Sequence, residues 1–372
     1  MTSEYSEMKQ AFYDHLAPTS PYPLAIEVER AEGIFIWDKK GKRYTDMVAG
    51  IAVCNLGHRH PKVIQAIQDQ LEKYLHVMPY GEFIQAPQVQ LAEKLAELLP
   101  ANLDCSYFVN SGAESIEAAM KLAKRATGRV NFVACHRSYH GSTHGALSVT
   151  GNEQKKFHVR PLLPGVSFMR FNHSEDIDLI DENTAAVIIE PIQGDAGVRL
   201  PDIGYLDALR IRCTEVGALL IFDEIQTGMG RTGSLFAFEQ YGVVPDILCI
   251  AKALGGGMPI GAFIASKKLM HLWTHSPMLG HITTFGGHPV NCAAAFANIT
   301  ALVDDGIIDE VEEKGMLFEM LLKHKNIKEV RRKGLMMAVE FDSPETVQRI
   351  VKSCLERGVI TFWFLSDPKS FR

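Results

Sequence analysis

Between about residues 60 and 285, short apolar runs alternate with segments of helical period, and this alternation points to an α/β layer built on a mainly parallel sheet. The strand candidates are Cys105–Val109, Val130–Ala134, Ala185–Glu190, Ala218–Asp223, Ile247–Ile250 and Gly261–Ala265. Several of them are apolar at every position. A strand with no polar face belongs in a sheet covered by helices on both sides, and Gly204–Val216, with Leu206, Leu209 and Cys213 at helical spacing, supplies one such cover. The two ends of the chain read differently. Residues 34–47 predict a hairpin turning at Lys39–Lys42, and residues 289–372 predict two helices, short strands around Met336–Phe341 and a helix Glu345–Arg357. The expected organisation is therefore an N-terminal segment (1–58) and a C-terminal segment (289–372) of one smaller α+β domain, flanking a large domain (59–288). A chain of 372 residues is long enough to enclose a deep pocket within such an arrangement.

Composition removes whole classes of function. With 47% hydrophobic and 22% charged residues the chain is neither disordered nor disulfide-dense, and a net charge of −6 with no basic stripe gives nucleic acid no footprint. The seven cysteines are odd in number, scattered and free of C-x-x-C pairs, which predicts reduced thiols in a cytoplasmic protein. The start, MTSEYSEMKQAFYDHL, lacks the basic and apolar regions of a signal peptide. Ile247–Ser266 is long enough to span a membrane, but Gly255–Gly257 and Pro259 interrupt it, so strand, loop and strand are expected and no membrane partner.

That stretch carries one charge, Lys252, at the carboxyl end of a strand, where open α/β sheets place their ligands. Burial among apolar neighbours favours the neutral amine, which is the form carbonyl chemistry requires. A lysine snorkelling to solvent is the bland alternative. Asp223 ends the run ALLIFD and precedes the Gly-rich segment EIQTGMGRTG; a carboxylate there suits a metal, a turn cap or a protonated heterocycle. At Cys105–Ala126 a strand meets Asn110-Ser111-Gly112-Ala113-Glu114 and then a helix. Ser111 and Glu114 have capping-box spacing, Glu117 and Lys121 predict an outer-face ion pair, and the amides of Ser111, Gly112 and Ala113 suit a phosphate at the positive helix end. His136, His140 and His144 recur at i, i+4, i+8, but Gly141 breaks any helix that would align them, so no metal is expected.

Taken together, NSGAESIEAAMKLA, FDEIQTGMGRTG and AKALGGGMPIG closely resemble the class III (ω-amino acid) pyridoxal-phosphate-dependent aminotransferases, the acetylornithine, ornithine and 4-aminobutyrate group. The likeness continues at NLGHRHP (55–61), Tyr139-His140-Gly141, EPIQG (190–194) and HITTFGGHP (281–289), and the interval of 29 residues from Asp223 to Lys252 fits it. It implies fold type I, a seven-stranded sheet, pyridoxal 5'-phosphate as cofactor and a homodimer with shared active sites. Lys252 would anchor the cofactor and shuttle a proton, and Asp223 would pair with the ring nitrogen. Gln226 would meet the phenolic oxygen, and Tyr139, beside His140, would stack on the ring. Ser111, Gly112 and Ala113 would hold the phosphate, with Thr284 reaching it from the neighbouring subunit. The implied reaction moves an amino group from an ω-amino donor, such as acetylornithine, ornithine or 4-aminobutyrate, to 2-oxoglutarate. An aminomutase or decarboxylase of the same family shares these motifs, and a non-catalytic cofactor- or partner-binding relative is the reading from another class.

Four positions bear on the substrate. Ser142 stands where these relatives usually carry an arginine that grips a substrate carboxylate, which leaves Arg137 as a candidate by nearness alone. Asp195 replaces the usual Glu, whose partner in the family is an arginine that Arg372 resembles; the family continues beyond that point, so a truncated C-terminal domain is expected. Ile51 lies at a position that differs between ornithine and 4-aminobutyrate enzymes.

Overall fold

In a computed structural model of the protein, residues 6–79 and 81–372 are described; part of the N-terminal stretch read for a leader (1–5) lies outside them. Seven strands form the central sheet, in the order Cys105–Val109, Gly261–Ala265, Ile247–Ile250, Leu219–Asp223, Thr184–Ile189, Asn131–Cys135, Val166–Met169. The last five pair in parallel, while Gly261–Ala265 runs antiparallel to both its neighbours. Six of the seven coincide with the expected strands to within one residue at each end. The seventh, Val166–Met169, was not among them, because it is a four-residue edge strand with two alternating half-exposed positions and carries no long apolar run.

Both faces of the sheet are covered. Phe222, Leu248 and Ile264 pack with Leu91, Leu95, Leu206 and Leu209 on one side. Ile221, Ile188 and Phe263 pack with Ile116, Ala119, Met120 and Leu122 on the other. Successive side chains of one strand thus enter different cores, which is why strands such as Leu219–Asp223 have no polar face. The helix Gly112–Thr127 lies close against the sheet through alanines, and a Cβ at Gly112 would stand 2.7 Å from Ile225 Cδ1, so only glycine fits at that point of approach. Ser111 accepts a hydrogen bond from the Glu114 amide, as its spacing predicts. The expected Glu117–Lys121 pair does not form: Glu117 turns inward and accepts bonds from Thr143 Oγ1 and the amides of Gly145 and Ala146. Those orphan donors at a short helix start outcompete a solvent-exposed ion pair.

The two chain ends share one sheet. Val28–Glu32, Phe35–Asp38 and Arg43–Asp46 form an antiparallel meander, and Val359–Ile360 adds to it in parallel beside Arg43–Asp46. Lys42, in the hairpin turn, donates to the carbonyls of Leu355 and Glu356 at the end of the helix Pro344–Glu356, where the backbone lacks partners of its own. Glu329–Lys333, Met336–Glu340 and Ser370–Phe371 make a third, small sheet.

A buried arginine fastens that third sheet to the body of the protein. Arg331 donates through Nε to the Gly197 carbonyl at 2.7 Å and through Nη2 to Asp367 Oδ2 at 3.0 Å and Ser370 Oγ at 3.1 Å, while Nη1 meets Glu329 and Glu340. Gly197 is held at φ +89°, with Asp367 so near that no side chain could stand there. Removing the guanidinium would strip the Gly197 carbonyl and Ser370 of a buried donor, while Arg137 and Arg199 remain near Asp367. Arg331→Met is expected to destabilise the fold by about 1–3 kcal/mol, read as a lowered urea midpoint.

Candidate functional site

The parallel strands all deliver their carboxyl ends to one edge of the sheet, and the chain places its polar motifs at those ends. Asp223 ends its strand, Lys252 follows Ile247–Ile250 by one residue, Tyr139 and His140 follow Asn131–Cys135, and Glu190 follows Thr184–Ile189. Ser111, Gly112 and Ala113 enter from the N-terminus of the helix on the neighbouring strand. All of these line one cavity of about 700 Å³, together with Asn110, Ser142 and Gln226.

Polar groups at the floor of the cavity are buried and bonded to one another. Asp223, 4% exposed, accepts from His140 Nδ1 at 2.7 Å and from the Ile225 amide at 3.0 Å. Burial alone would lower the His140 pKa, but the hydrogen bond to Asp223 and the charges of Asp223 and Glu190 raise it above the ordinary imidazole value. Glu190 accepts from the amides of Tyr139 at 3.3 Å and Gly194 at 3.2 Å. Burial, with the Asp223 charge added, pushes its carboxyl up to about 7 against the opposing effects of His140 and the two amides.

Lys252 is half-buried, and its ammonium is pushed below the usual lysine range by desolvation; Asp223 and Glu190 oppose that shift and Arg372 adds to it. Its backbone sits at φ +42°, a left-handed conformation that costs a non-glycine residue of order 1–3 kcal/mol and collects at functional sites. At the other end of the cavity the first-turn amides of the helix Gly112–Thr127 have no acceptor within it. Glu114 reaches back to the Asn110 amide at 2.6 Å and Ser111 Oγ takes the Glu114 amide, so the amides of Gly112 and Ala113 are left to an incoming anion.

Other expected site residues lie elsewhere. Ile51 is exposed and outside this cavity, which Val53 lines instead. Thr284 is exposed in the loop 281–288, away from the cavity of its own chain. Asp195 does not pair with Arg372: its carboxylate accepts from the Leu365 amide at 3.1 Å and Ser366 Oγ at 2.8 Å. The shorter side chain is taken by the backbone that crosses above it. Arg372 instead lies 5.2 Å from the Phe364 ring centroid, its Nε without a partner among the described residues, in a second cavity that Gln226 also borders. Arg137 is engaged with the Ser366 carbonyl at 2.8 Å and lies 3.5 Å from Asp367. Two polar groups at this site carried no prior expectation of their own. Glu190 stood within a quoted motif without a role, and Lys155 lay outside every motif.

The sequence matches the family model described as Aminotransferase class-III over residues 17–367. The acetylornithine aminotransferase of Methanosarcina mazei is 46% identical over 348 residues, covering 91% of this chain and 84% of that protein. That of Methanopyrus kandleri is 42% identical over 336 residues, covering 89% and 84%. Among solved structures, the ornithine aminotransferase from Toxoplasma gondii ME49 superposes with a TM-score of 0.90 at 30% identity, over 98% of this chain and 88% of that one.

The raised Glu190 carboxyl has a signed consequence for stability. Its folded value of about 7 lies above the ordinary 4.5, so between those values the native state holds a proton that the unfolded chain has released, and stability falls as pH rises through the window. Glu224 adds a slope of the same sign, its carboxyl raised to about 7 by burial. Glu190→Gln is expected to flatten the decline between pH 4.5 and 7 by up to about one proton, measured from urea unfolding at stepped pH; an unchanged slope contradicts the assignment.

Proposed function

We propose, from the premise that this chain belongs to the class III aminotransferase family, that it transfers the amino group of an acetylornithine-type ω-amino donor to 2-oxoglutarate. What carries the choice of donor is the 42–46% identity, over about nine-tenths of the chain, to proteins named acetylornithine aminotransferase. The enzyme is a pyridoxal-phosphate-dependent transaminase. The cavity fits that cofactor on three counts: a buried carboxylate at the floor, unpaired helix-start amides at the far end, and a desolvated lysine on its wall.

When bound, pyridoxal phosphate supplies a reactive aldehyde and an electron-withdrawing ring. Lys252 Nζ is the covalent anchor in our reading, and its depressed pKa keeps a free amine available to take and return a proton at the substrate carbon. Asp223 would accept a hydrogen bond from the ring nitrogen and so favour its protonated form, while His140 and the Ile225 amide hold that carboxylate in place. Tyr139 supports the ring face, Gln226 meets the phenolic oxygen, and Ser111, Gly112 and Ala113 bind the phosphate. Ser142, Asp195 and Arg372 belong to the substrate side, and no role is proposed for Ile51 in the cavity of its own chain.

Thr284 completes the phosphate site from a second copy of the chain in this reading. Two observations support the homodimer. Thr284 is exposed and does not line its own cavity, and the apolar side chains of Phe83, Ile84, Met278, Leu279, Ile282 and Phe285 are exposed on its own and neighbouring loops. Segments 76–88 and 281–288 are adjacent, with His76 stacked on His288 and Gln88 bonded to the Gly287 carbonyl. Light scattering should return twice the chain mass.

Borohydride treatment of the loaded enzyme is expected to fix the cofactor to the peptide that contains Lys252, seen by mass spectrometry, and Lys252→Ala should abolish that label. The same variant should lose transamination by about 10²–10⁴-fold or more. A label on another lysine refutes the assignment. Failure of wild-type enzyme to convert acetylornithine, with conversion of another amine, would refute the donor while leaving the transaminase intact.

A further inference from the structure

Ser142 leaves the cavity wall without a cation at that point, and the fold brings a different one onto the adjoining Tyr139 ring. Lys155 belongs to the short helix Glu153–Lys156, thirteen positions further along the chain, yet its ammonium stands 4.2 Å from the centroid of the Tyr139 ring. The Tyr139 hydroxyl in turn lies 3.2 Å from Ser142 Oγ. A lysine, a phenol and a serine hydroxyl therefore form one chain of contacts, of which Tyr139 and Ser142 line the cavity.

Lys155 has no carboxylate partner among the described residues, unlike the cations next to it in the chain and at Arg137. Lys156, next in sequence, is buried, with its ammonium 2.8 Å from Glu153 and 4.1 Å from the Phe168 ring. Arg137 is held by Ser366 and Asp367. Among the described residues no carboxylate lies within ion-pairing distance of Lys155, although it is half-buried. Burial lowers its pKa, Asp195 opposes that and Arg372 reinforces it, so the charged groups that face it belong to the substrate side of the site. A lysine that served only solubility would extend into water, where its charge is fully hydrated; this one is partly desolvated on an aromatic face, and an anion is what that position lacks.

We propose that Lys155, assisted by the Ser142 and Tyr139 hydroxyls, binds the substrate carboxylate remote from the reacting amino or keto carbon. The assignment rests on the ω-transaminase reading above. Arg372 borders a second cavity that also reaches Gln226, whereas Lys155 stands over the Tyr139 ring, so the two cations approach the substrate at different points. A substrate with carboxylates at both ends, such as a dicarboxylic keto acid, would meet both. An ammonium is a point charge on a flexible stem, without the fixed fork of a guanidinium. The site should therefore hold its remote carboxylate less rigidly than an arginine would, and accept donors of more than one chain length.

The test compares loaded wild-type and Lys155→Met enzymes with two donors of equal chain length, 4-aminobutyrate and n-butylamine, which differ in the carboxylate. Lys155→Met should raise KM for 4-aminobutyrate by about tenfold or more, leave KM for n-butylamine within about twofold, and leave kcat and the cofactor absorbance unchanged. The Kd of glutarate, a dicarboxylate that cannot react, should rise in parallel, and Lys155→Arg should restore both. Equal effects on the two donors, or none on either, overturn the role of Lys155 while wild-type turnover stands. Wild-type enzyme that converts neither of these donors nor acetylornithine overturns the ω-transaminase reading, and unchanged glutarate affinity in Lys155→Met then overturns this assignment separately.

Discussion

The site depends on removing several charges from water at one edge of an apolar sheet without leaving any of them alone. A sheet whose two faces are both packed has nowhere to put a polar side chain except at the strand ends. Asp223, Glu190 and Lys252 occupy such ends, and each has a different means of tolerating burial. Asp223 is held by an imidazole and an amide, Glu190 by two amides with its proton retained to about pH 7, and Lys252 by a shift toward the free amine. These solutions are coupled, because each negative charge that favours protonated lysine also favours protonated His140. The balance keeps acid and base functions within one small volume.

That balance requires the edge of the sheet to be rigid, and the backbone supplies the rigidity. Close approach at Gly112 sets the helix start against Ile225, in the chain that leaves Asp223. The strained left-handed residue at Lys252 turns the chain directly after its strand. On the opposite side, Arg331 and Asp367 fasten the segment that leads to Arg372, while Asp195 holds the same segment through Leu365 and Ser366. The substrate side is therefore fixed by contacts between residues far apart in sequence.

That separation explains what could be read in advance. Strand ends, the capping serine and the isolated lysine are local patterns, set by apolar runs and by the punctuation that follows them, and six of the seven central strands were legible for that reason. Glu117 was misread because its spacing to Lys121 is local, whereas the orphan amides it caps belong to another segment. Glu190 had no visible role because its importance comes from Tyr139, His140 and Asp223, which other segments of the chain bring to it. Lys155 lay in an unremarkable polar stretch, NEQKK, and only folding sets it over Tyr139.

The changes at Ser142 and Asp195 act in one direction, because each is shorter than the side chain usual in the enzymes this sequence resembles. Shortening the acid turns it from a partner for Arg372 into an anchor for Leu365 and Ser366, so Arg372 has no internal carboxylate to leave when an anion arrives. Lys155, on a neighbouring short helix, stands over the Tyr139 ring, whose hydroxyl meets Ser142. Neither Arg372 nor Lys155 pairs with a carboxylate among the described residues, so an anion arriving at either would have no internal ion pair to break first.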